Sequence, residues 1–337
     1  MKRNQFLLKG IDKSMLGLEV APWFNPIVAK ADGYNVRTLD VFDFDTLMER
    51  AKGDPEIDAR GYDKLEAVDY VGSATEVLSL VPAEQHGTFD YVVSSHNFEH
   101  LPNPIKFLQG CEALLSEGGS LVMALPDGRA CFDYFRPHTV TADWLEAFVE
   151  DRKQPSERQL FAGHTDLAYA KGKPDRGAAA VSFSTLRTEI ENRNSLAEKW
   201  SEWQERKGKG DYIDSHCTVM TPASFQLLIE DCVALGLISF NIDEVSPTNG
   251  VEFLVRLTKR KDHKSADADD YPARRTRLLH AVWDEQAVRQ GAKRYGNAAT
   301  AEFYLNFAAG LSVVQRLKMA IRLANKKRIA RRRSRAD

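Results

Sequence analysis

Short apolar runs separated by polar stretches fill the first third of the chain, and their spacing predicts alternating strands and helices. The runs are rich in Val, Leu and Tyr, which is typical of strands that are buried on both faces of a parallel sheet. We predict five such strands, at residues 15–20, 35–41, 67–71, 89–95 and 120–126.

The segment between the fourth and fifth strands has the apolar spacing of a helix. One predicted face carries Phe107, Leu108, Cys111, Leu114 and Leu115. Pro102 and Pro104 indicate the start of this helix, and Gly118-Gly119 indicates its end. Strand–helix–strand alternation predicts a parallel sheet with right-handed crossovers.

The pattern resumes near residue 221 and ends in a hairpin. Thr221 and Pro222 are typical of an N-cap followed by proline at the first helical position, and Gly236 is typical of a helix end. The runs 237–245 and 251–258 predict two strands joined by a Pro-Thr-Asn-Gly turn. The fold class is therefore α/β, with a mostly parallel sheet that closes in a C-terminal antiparallel hairpin.

Three regions are predicted from the changes in pattern. Residues 1–127 and 215–260 form the α/β core, residues 128–214 an inserted, mainly helical cap, and residues 261–337 a linker with a basic helical extension. The linker is 262–272, which is rich in Asp.

Composition limits the class of protein. The chain has 337 residues, 43% of them hydrophobic and 28% charged, which excludes a collagen-like or wholly disordered protein. Its four cysteines form no Cys-x-x-Cys pair, so neither a zinc ribbon nor a thioredoxin-type site is indicated, and reduced thiols favour a cytoplasmic location. The N-terminal apolar run is too short for a signal peptide, and no run is long enough to span a membrane.

Positive charge accumulates at the C-terminus. The stretch 316–335 has ten Lys or Arg residues and no acidic residue. It is typical of a segment that binds an anionic membrane surface, which would place the protein peripherally at the inner face of the membrane. A solvated terminus is the first alternative and is favoured over membrane association, and nucleic-acid binding is the least favoured of the three.

Several segments resemble a bacterial family of class I S-adenosylmethionine (SAM)-dependent methyltransferases, the methyltransferase type 11-like proteins associated with glycosyltransferases and surface-polysaccharide genes. The matching segments are LEVAPWFNP (18–26), VDYVGSATEVL (68–78), FDYVVSSHNFEHLPNP (89–104), LVMALPDGRACFDYFRPHT (121–139), DSHCTVMTPASF (214–225) and VEFLVRL (251–257). The resemblance implies a Rossmann-like seven-stranded methyltransferase sheet and methyl transfer from SAM.

The acceptor that this resemblance favours is a saccharide or glycan intermediate of cell-surface polysaccharide biosynthesis, methylated on oxygen. Two alternatives stay open. One is an enzyme similar to RNA 2′-O-methyltransferases, and the other is a non-catalytic scaffold with the methyltransferase fold.

The turn after the first strand is the predicted site for the methionine end of SAM. Glu19 would hold the ammonium group, and Asn25 would hydrogen-bond the carboxylate. Ala21 stands where related sequences usually have glycine, and it disfavours positive φ. If the turn needs positive φ, we expect weaker cofactor binding; a purely structural turn is the alternative.

The ribose and adenine contacts are expected at the ends of the next strands. Asp40 follows Glu19 by 21 residues, the spacing of an acidic residue that binds ribose hydroxyls, although a solvated loop aspartate would have the same position. Gly72 and Ser73 would border the adenine, and Ser95 completes the predicted cofactor contacts.

The segment after the fourth strand supplies the candidate catalytic residues His96, Glu99 and His100. His96 would act as a general base, because an unperturbed imidazole accepts a proton near neutral pH. Alternatively the three residues bind a divalent metal, since His-x-x-Glu-His resembles the Glu-x-x-Glu-His pattern of metal-dependent O-methyltransferases, with His216 as a fourth ligand. The third alternative is that they shape the pocket, and a metal is not expected.

Four residues are assigned to the acceptor: Asp127, Asp133, Arg136 and His216. Their positions after the fifth strand and before the late helix suit contacts to hydroxyl or phosphate groups. An Asp–Arg pair that anchors the cap to the core is an equally good interpretation. Trp200 and Trp203 would stack on a sugar or pack in the protein interior.

Overall fold

The sheet contains most of the predicted strands at close to the predicted positions. The computed structural model describes residues 2–52, 54, 57, 61–173, 181–206, 209, 213–261 and 270–291. The strands are β1 (Gly17–Val20), β2 (Val36–Asp40), β3 (Tyr70–Val71), β4 (Phe89–Ser95), β5 (Leu115–Pro126), β6 (Tyr169–Ala170), β7 (Ile190–Glu191), β8 (Phe240–Val245) and β9 (Glu252–Lys259).

Seven of these strands form one sheet in the order β3-β2-β1-β4-β5-β9-β8. All neighbouring pairs are parallel except those that involve β9, which runs antiparallel to both β5 and β8. This arrangement confirms the predicted Rossmann-like methyltransferase fold with a C-terminal antiparallel hairpin. The strand order reverses between β1 and β4, so the crevice at their carboxyl ends is where such a sheet binds its ligand.

Helices pack on both faces of the sheet and in the inserted segment. They are α1 (Arg3–Leu7), α2 (Phe44–Ala51), α3 (Val77–Leu80), α4 (Pro104–Leu114), α5 (Thr141–Val149), α6 (Glu157–Thr165), α7 (Leu196–Arg206), α8 (Pro222–Ala234) and α9 (Tyr271–Gly291). The predicted start of α8 is confirmed, because the Thr221 side chain accepts a hydrogen bond from the Ser224 N–H and Pro222 is the first helical residue.

The predicted end of α4 is wrong. The helix ends at Leu114, and Leu115 already pairs with Phe89 in the sheet, so Gly118 and Gly119 lie inside β5 rather than in a loop. Gly118 has a φ of +74°, which an L-residue rarely adopts. Pairing with β4 therefore prevails over the local preference of the Gly-Gly pair for a turn.

The connection between β1 and β2 contains no α-helix. Residues 21–35, all described, hold only the 3-10 turn Lys30–Asp32. Helix α1 covers the neighbouring part of this sheet face: Phe6 and Leu7 pack against Val122, Ala124 and Leu254. The turn after β1 is consequently shaped by its own hydrogen bonds and not by a following helix.

The segment 128–214 contains helices α5, α6 and α7, together with the small antiparallel sheet of β6 and β7, which the sequence did not predict. It belongs to the same compact unit as the sheet, which extends to Trp283. Its role as a substrate cap stays a prediction. Among the described helices, none combines the length and apolarity that crossing a membrane requires. Residues 262–269 of the predicted linker and the basic stretch 316–335 lie outside the described residues.

Candidate active site

The cofactor turn after β1 adopts a backbone conformation that L-residues avoid. Ala21 and Trp23 have φ values of +52° and +48°. The turn therefore does use positive φ at the position where related sequences usually have glycine, as the sequence analysis considered. Such a conformation costs an L-residue about 1–2 kcal/mol, and it persists here because the Ala21 N–H donates to the Leu39 carbonyl at 2.8 Å.

Glu19 holds this turn together. Its carboxylate is buried and accepts hydrogen bonds from the backbone N–H groups of Ile27, at 2.7 Å, and Val28, at 3.1 Å. Burial raises the pKa of Glu19 to about 7, although the two N–H donors oppose the shift. A contact between Glu19 and the ammonium group of SAM stays a prediction, and it would compete with these two bonds. The Asn25 side chain is exposed in the same turn.

Asp40 lies at the carboxyl end of β2 and is largely buried, with its Oδ1 accepting from the Phe42 N–H at 3.1 Å. Burial raises its pKa. It pairs in register with Val71 of β3, and Gly72 follows with its N–H donating to the Asp40 carbonyl at 2.8 Å. Val41 and Val71 are 46% and 48% exposed beside this carboxylate, so the edge offers apolar surface suited to an adenine ring next to an acceptor for ribose hydroxyls.

Ser73 and Ser95 have different surroundings. The Ser73 hydroxyl shares a hydrogen bond with the Thr75 hydroxyl at 2.8 Å. The Ser95 hydroxyl, at the end of β4, accepts from Nη2 of Arg3 at 2.7 Å. Arg3 also donates from Nε to Glu252 Oε1 at 2.8 Å, so the N-terminal helix contributes a cation to the carboxyl edge of the sheet. Arg3 was not among the site residues predicted from the sequence.

His96 follows β4 directly and has a φ of +49°. Its Nε2 lies 2.8 Å from Glu252 Oε2, and its Nδ1 lies 3.6 Å from Glu99 Oε1. Burial lowers the pKa of His96, but the bonds to Glu252 and Glu99 outweigh it and raise the pKa to about 9. At neutral pH the ring thus already holds a second proton, so a role as general base requires that it first lose that proton.

Glu99, His100 and His216 form a compact group whose ligand atoms all lie within 4.8 Å of one another. Glu99 Oε1 is 3.8 Å from His100 Nε2 and 4.0 Å from His216 Nε2. The other carboxylate oxygen, Oε2, is buried and has no hydrogen-bond partner among the described residues. The rings of His100 and His216 meet edge to face, with centroids 4.6 Å apart. The sequence predicted His216 as an acceptor contact or an additional metal ligand, and the structure places it within this group.

Each of the three histidines around Glu99 has a carboxylate on its outer nitrogen. His96 Nε2 bonds to Glu252, His100 Nδ1 bonds to Asp214 at 2.8 Å, and His216 Nδ1 bonds to Asp133 at 2.5 Å. An imidazole that donates its outer N–H to a carboxylate turns the lone pair of its inner nitrogen towards the site. Asp214 and Glu252 were not predicted from the sequence; Asp214 stands two residues before His216, which is the one local signal for it.

Burial opposes the charges in this group, and the partners prevail. Burial would raise the pKa of Glu99, but the nearby imidazoles of His96, His100 and His216 lower it below the usual range. Burial would lower the pKa of His100, and the hydrogen bond to Asp214 with the Glu99 charge raises it. The group therefore attracts positive charge.

Backbone hydrogen bonds bring His216 to Glu99, although the two residues are 117 positions apart in the sequence. The N–H groups of Cys217 and Thr218 both donate to the Glu99 carbonyl, at 2.6 and 3.0 Å. The returning segment also bonds through the Arg136 Nη2, which donates to the His216 carbonyl at 2.8 Å. These contacts fix both histidines relative to the end of β4.

The two predicted acceptor aspartates form buried ion pairs within the protein. Asp127 accepts from the Nε and Nη2 of Arg129 and from the Thr248 hydroxyl. Asp133 accepts from Arg136 Nη1 at 2.7 Å as well as from His216. The Asp127–Arg129 pair links the core to the start of the inserted segment, and the Asp133–Arg136 pair lies within that segment and reaches the core through the bonds of both residues to His216. Direct contacts of these residues with an acceptor stay a prediction.

A cavity of about 330 Å³ adjoins the histidines. Its walls include His100, Phe132, His164, Tyr169 and His216. Helix α6 approaches the cavity closely at Gly163, where a Cβ atom would lie 2.4 Å from the Ser215 hydroxyl. In α7, the rings of Trp200 and Trp203 stack on each other with centroids 5.1 Å apart, and both contact Phe161 of α6. Trp200 is 48% exposed, so part of this aromatic surface is open to solvent.

The chain was compared with known proteins. A family described as a methyltransferase domain matches residues 51–231, more than half of the chain. Ubiquinone biosynthesis O-methyltransferases from strains of Xanthomonas campestris pv. campestris are 39% identical over 57 residues, or 17% of this chain. That match spans 23% of the length of these relatives.

Solved structures with similarity to this chain include two described as SAM-dependent methyltransferases. The protein from Aquifex aeolicus is 12% identical with a TM-score of 0.36, over 76% of this chain and 89% of its own. The protein from Methanosarcina mazei is 14% identical with a TM-score of 0.38, over 75% of this chain and 95% of its own. Because the matched family domain covers more than half of this chain, we conclude that the chain belongs to the methyltransferase-domain family.

Proposed function

We propose that the enzyme methylates a hydroxyl oxygen of an acceptor bound at a divalent-metal site made of Glu99, His100 and His216. The observation that carries this proposal is the orientation of the imidazoles. His100 and His216 each hold a carboxylate on the outer nitrogen, and their inner nitrogens face a buried glutamate oxygen.

The donor set fits a transition metal better than magnesium. Two imidazoles and one carboxylate are the ligands of many catalytic zinc and non-haem iron sites, which leave positions open for a substrate. Outer carboxylates on the ligating histidines are also typical of such sites. His96 Nδ1 lies 3.6 Å from Glu99 Oε1 as well, but His96 is not a member of the group whose ligand atoms converge within 4.8 Å. When bound, such an ion would acidify a coordinated hydroxyl group.

The protein's own residues would then orient the reacting groups. Glu99 and the histidines hold the acceptor oxygen beside the end of β4, and the turn after β1 with Asp40 holds the cofactor at the neighbouring strands. The acceptor oxygen forms a bond to the methyl carbon of SAM as the carbon–sulfur bond breaks, S-adenosylhomocysteine leaves, and the hydroxyl proton passes to solvent water. Positioning of the two reactants supplies a large part of the rate.

The acceptor we propose is a saccharide unit, as in cell-surface polysaccharide biosynthesis. The cavity beside His100 and His216, of about 330 Å³, is at the lower end of the range for small-molecule sites and is large enough for a sugar ring. Phe132 and Tyr169 line it and offer aromatic surface for the apolar face of a ring. The alternative of RNA 2′-O-methylation rests on the His-x-x-Glu-His segment and on the basic stretch 316–335. That stretch lies outside the described residues, so this alternative and membrane attachment stay predictions. Family membership and the intact ligand group argue against a non-catalytic scaffold.

The test starts from purified protein. Metal content is measured after dialysis, and the chelated protein is titrated with Zn²⁺, Mn²⁺, Fe²⁺ and Mg²⁺ by calorimetry. We expect one transition metal per chain, and we expect Glu99→Gln to abolish its binding while SAM binding is kept. Glu244→Gln, a change in an exposed glutamate, is the matched control.

Methyl transfer to nucleotide sugars, lipid-linked glycans and RNA is then followed with labelled SAM, with and without the metal. Transfer to a glycan that needs the metal supports the whole proposal. Full activity of the chelated protein would contradict the metal site, and transfer to RNA alone would contradict the saccharide acceptor.

A further inference from the structure

The methionine end of SAM carries a carboxylate. The described residues 21–35 do not offer it the backbone N–H groups of a following helix. In doubly wound sheets, anionic groups of a ligand are held by N–H groups at the start of the helix that follows β1. Here residues 21–35 contain no α-helix, and the N–H groups of Ile27 and Val28 already donate to Glu19. A different positive group is therefore needed at this position.

Arg3 is the cation that the N-terminal helix brings to the same crevice. Its Nη2 donates to Ser95 Oγ at the end of β4, and its Nε donates to Glu252. Strand β1 lies beside β4, with Val20 in register with Ser94. The positive charge of Arg3 also acts on Glu19 at the end of β1. The guanidinium thus lies at the carboxyl ends of β1 and β4, where the strand order reverses.

We propose that Arg3 binds the carboxylate of S-adenosylmethionine. Among the described residues none accepts a hydrogen bond from its Nη1, and the side chain is 32% exposed, so a ligand can reach it. Guanidinium groups bind carboxylates through parallel N–H bonds with a fixed geometry. The bonds to Ser95 and Glu252 hold the group in place before the ligand arrives. This inference rests on the proposed cofactor site and adds a residue to it.

The test compares two ligands that differ only in the group concerned. SAM and decarboxylated SAM are each titrated calorimetrically into the full-length protein and into Arg3→Ala. We expect the variant to bind SAM about 10- to 100-fold more weakly, the effect of losing a charge-assisted contact, and to bind decarboxylated SAM as the wild type does. Arg3→Lys should recover part of the affinity for SAM. Lys9→Ala, which removes an exposed salt bridge of the same N-terminal segment, is the matched control.

Each outcome decides the proposal. Selective loss of SAM supports it. Equal weakening for both ligands would show that Arg3 only holds the N-terminal segment in place and would overturn it, and an unchanged affinity for SAM would do the same. If the wild type bound neither ligand, the cofactor assignment itself would fail. That result differs from failure of the Arg3 assignment, in which the wild type binds SAM and Arg3→Ala binds it equally well.

Discussion

The carboxyl edge of the sheet has two neighbouring regions of opposite character, the turn after β1 and the segment after β4. In the turn, polar groups bond to one another: Glu19 accepts from two backbone N–H groups, and the Ala21 N–H donates to Leu39. After β4, the inner nitrogens of His100 and His216 face Glu99 at 3.8 and 4.0 Å, beyond hydrogen-bond length.

The difference indicates that the turn has a structural role and that the segment after β4 has a chemical role. A region whose polar groups are already paired holds a shape, and a ligand adds contacts at its margin. A region whose carboxylate and imidazole groups converge without hydrogen-bonding to one another attracts a cation or a substrate. Substitutions in the turn should therefore change the free energy of unfolding, and substitutions after β4 should change catalysis or metal binding.

The largest expected effect is on the β4 side. His216→Gln removes one inner nitrogen of the group and should lower kcat for methyl transfer by at least about 100-fold, because the acceptor loses a group that orients and acidifies it. SAM affinity, measured by calorimetry, should stay at the wild-type value. The exposed His280→Gln on α9 is the control. A matching loss of SAM affinity would contradict the separation of the two regions.

The second effect concerns the turn and depends on pH. Burial raises the pKa of Glu19 from its ordinary value of about 4.5 to about 7, so the folded protein holds a proton that the unfolded chain releases as the pH rises through this interval. The contribution of Glu19 to the free energy of unfolding should therefore fall between about pH 4.5 and 7, by up to about 3 kcal/mol, and stay constant above pH 7.

Urea unfolding of the wild type and Glu19→Gln at pH 5, 6, 7 and 8 measures this slope. The glutamine does not titrate, so the difference in unfolding free energy between the two proteins should change with pH and level off above 7. A difference that is the same at every pH would contradict the buried, protonated Glu19.

The fold could be predicted from local patterns because the central strands are apolar on both faces. β4 has the predicted bounds, 89–95, and β9 begins one residue later than predicted. Two errors have tertiary causes. The edge strand β3 is only Tyr70–Val71, since nothing pairs with its outer side, and β5 extends back through the two glycines because β4 supplies partners.

The candidate site could be predicted only in part. Glu99 and His100 were found because they are adjacent in sequence and follow a recognisable strand. Their partners come from elsewhere: Asp214 and Glu252 are more than one hundred positions away, and only the folded chain brings them to the histidines. Arg3 belongs to a short N-terminal helix whose sequence carries no site signal.

The third prediction concerns a partner of the histidines after β4, and its expected effect is smaller. Asp214 is 61% exposed and accepts from the outer nitrogen of His100, so Asp214→Asn keeps the shape but removes the charge that strengthens this ligand. We expect metal affinity to fall about tenfold, the lower end for outer carboxylates, with the unfolding free energy unchanged. Calorimetric metal titration measures it, with exposed Asp32→Asn as the control. Unchanged affinity would remove Asp214 from the site.

The smallest effect tests strain in the turn. Ala21 has a φ of +52°, so Ala21→Gly removes a steric cost of about 1–2 kcal/mol from the folded state. Glycine also raises the conformational entropy of the unfolded chain, which offsets about 0.5–1 kcal/mol of this gain in stability. The free energy of unfolding should rise by about 1 kcal/mol or less. Ala31→Gly, on an exposed residue without positive φ, should lower it by a similar amount, because there only the entropy of the unfolded chain changes. The opposite signs of the same substitution are the measurement: a loss of stability in both variants would mean that the turn is relaxed, and that alanine at this position costs the cofactor site nothing.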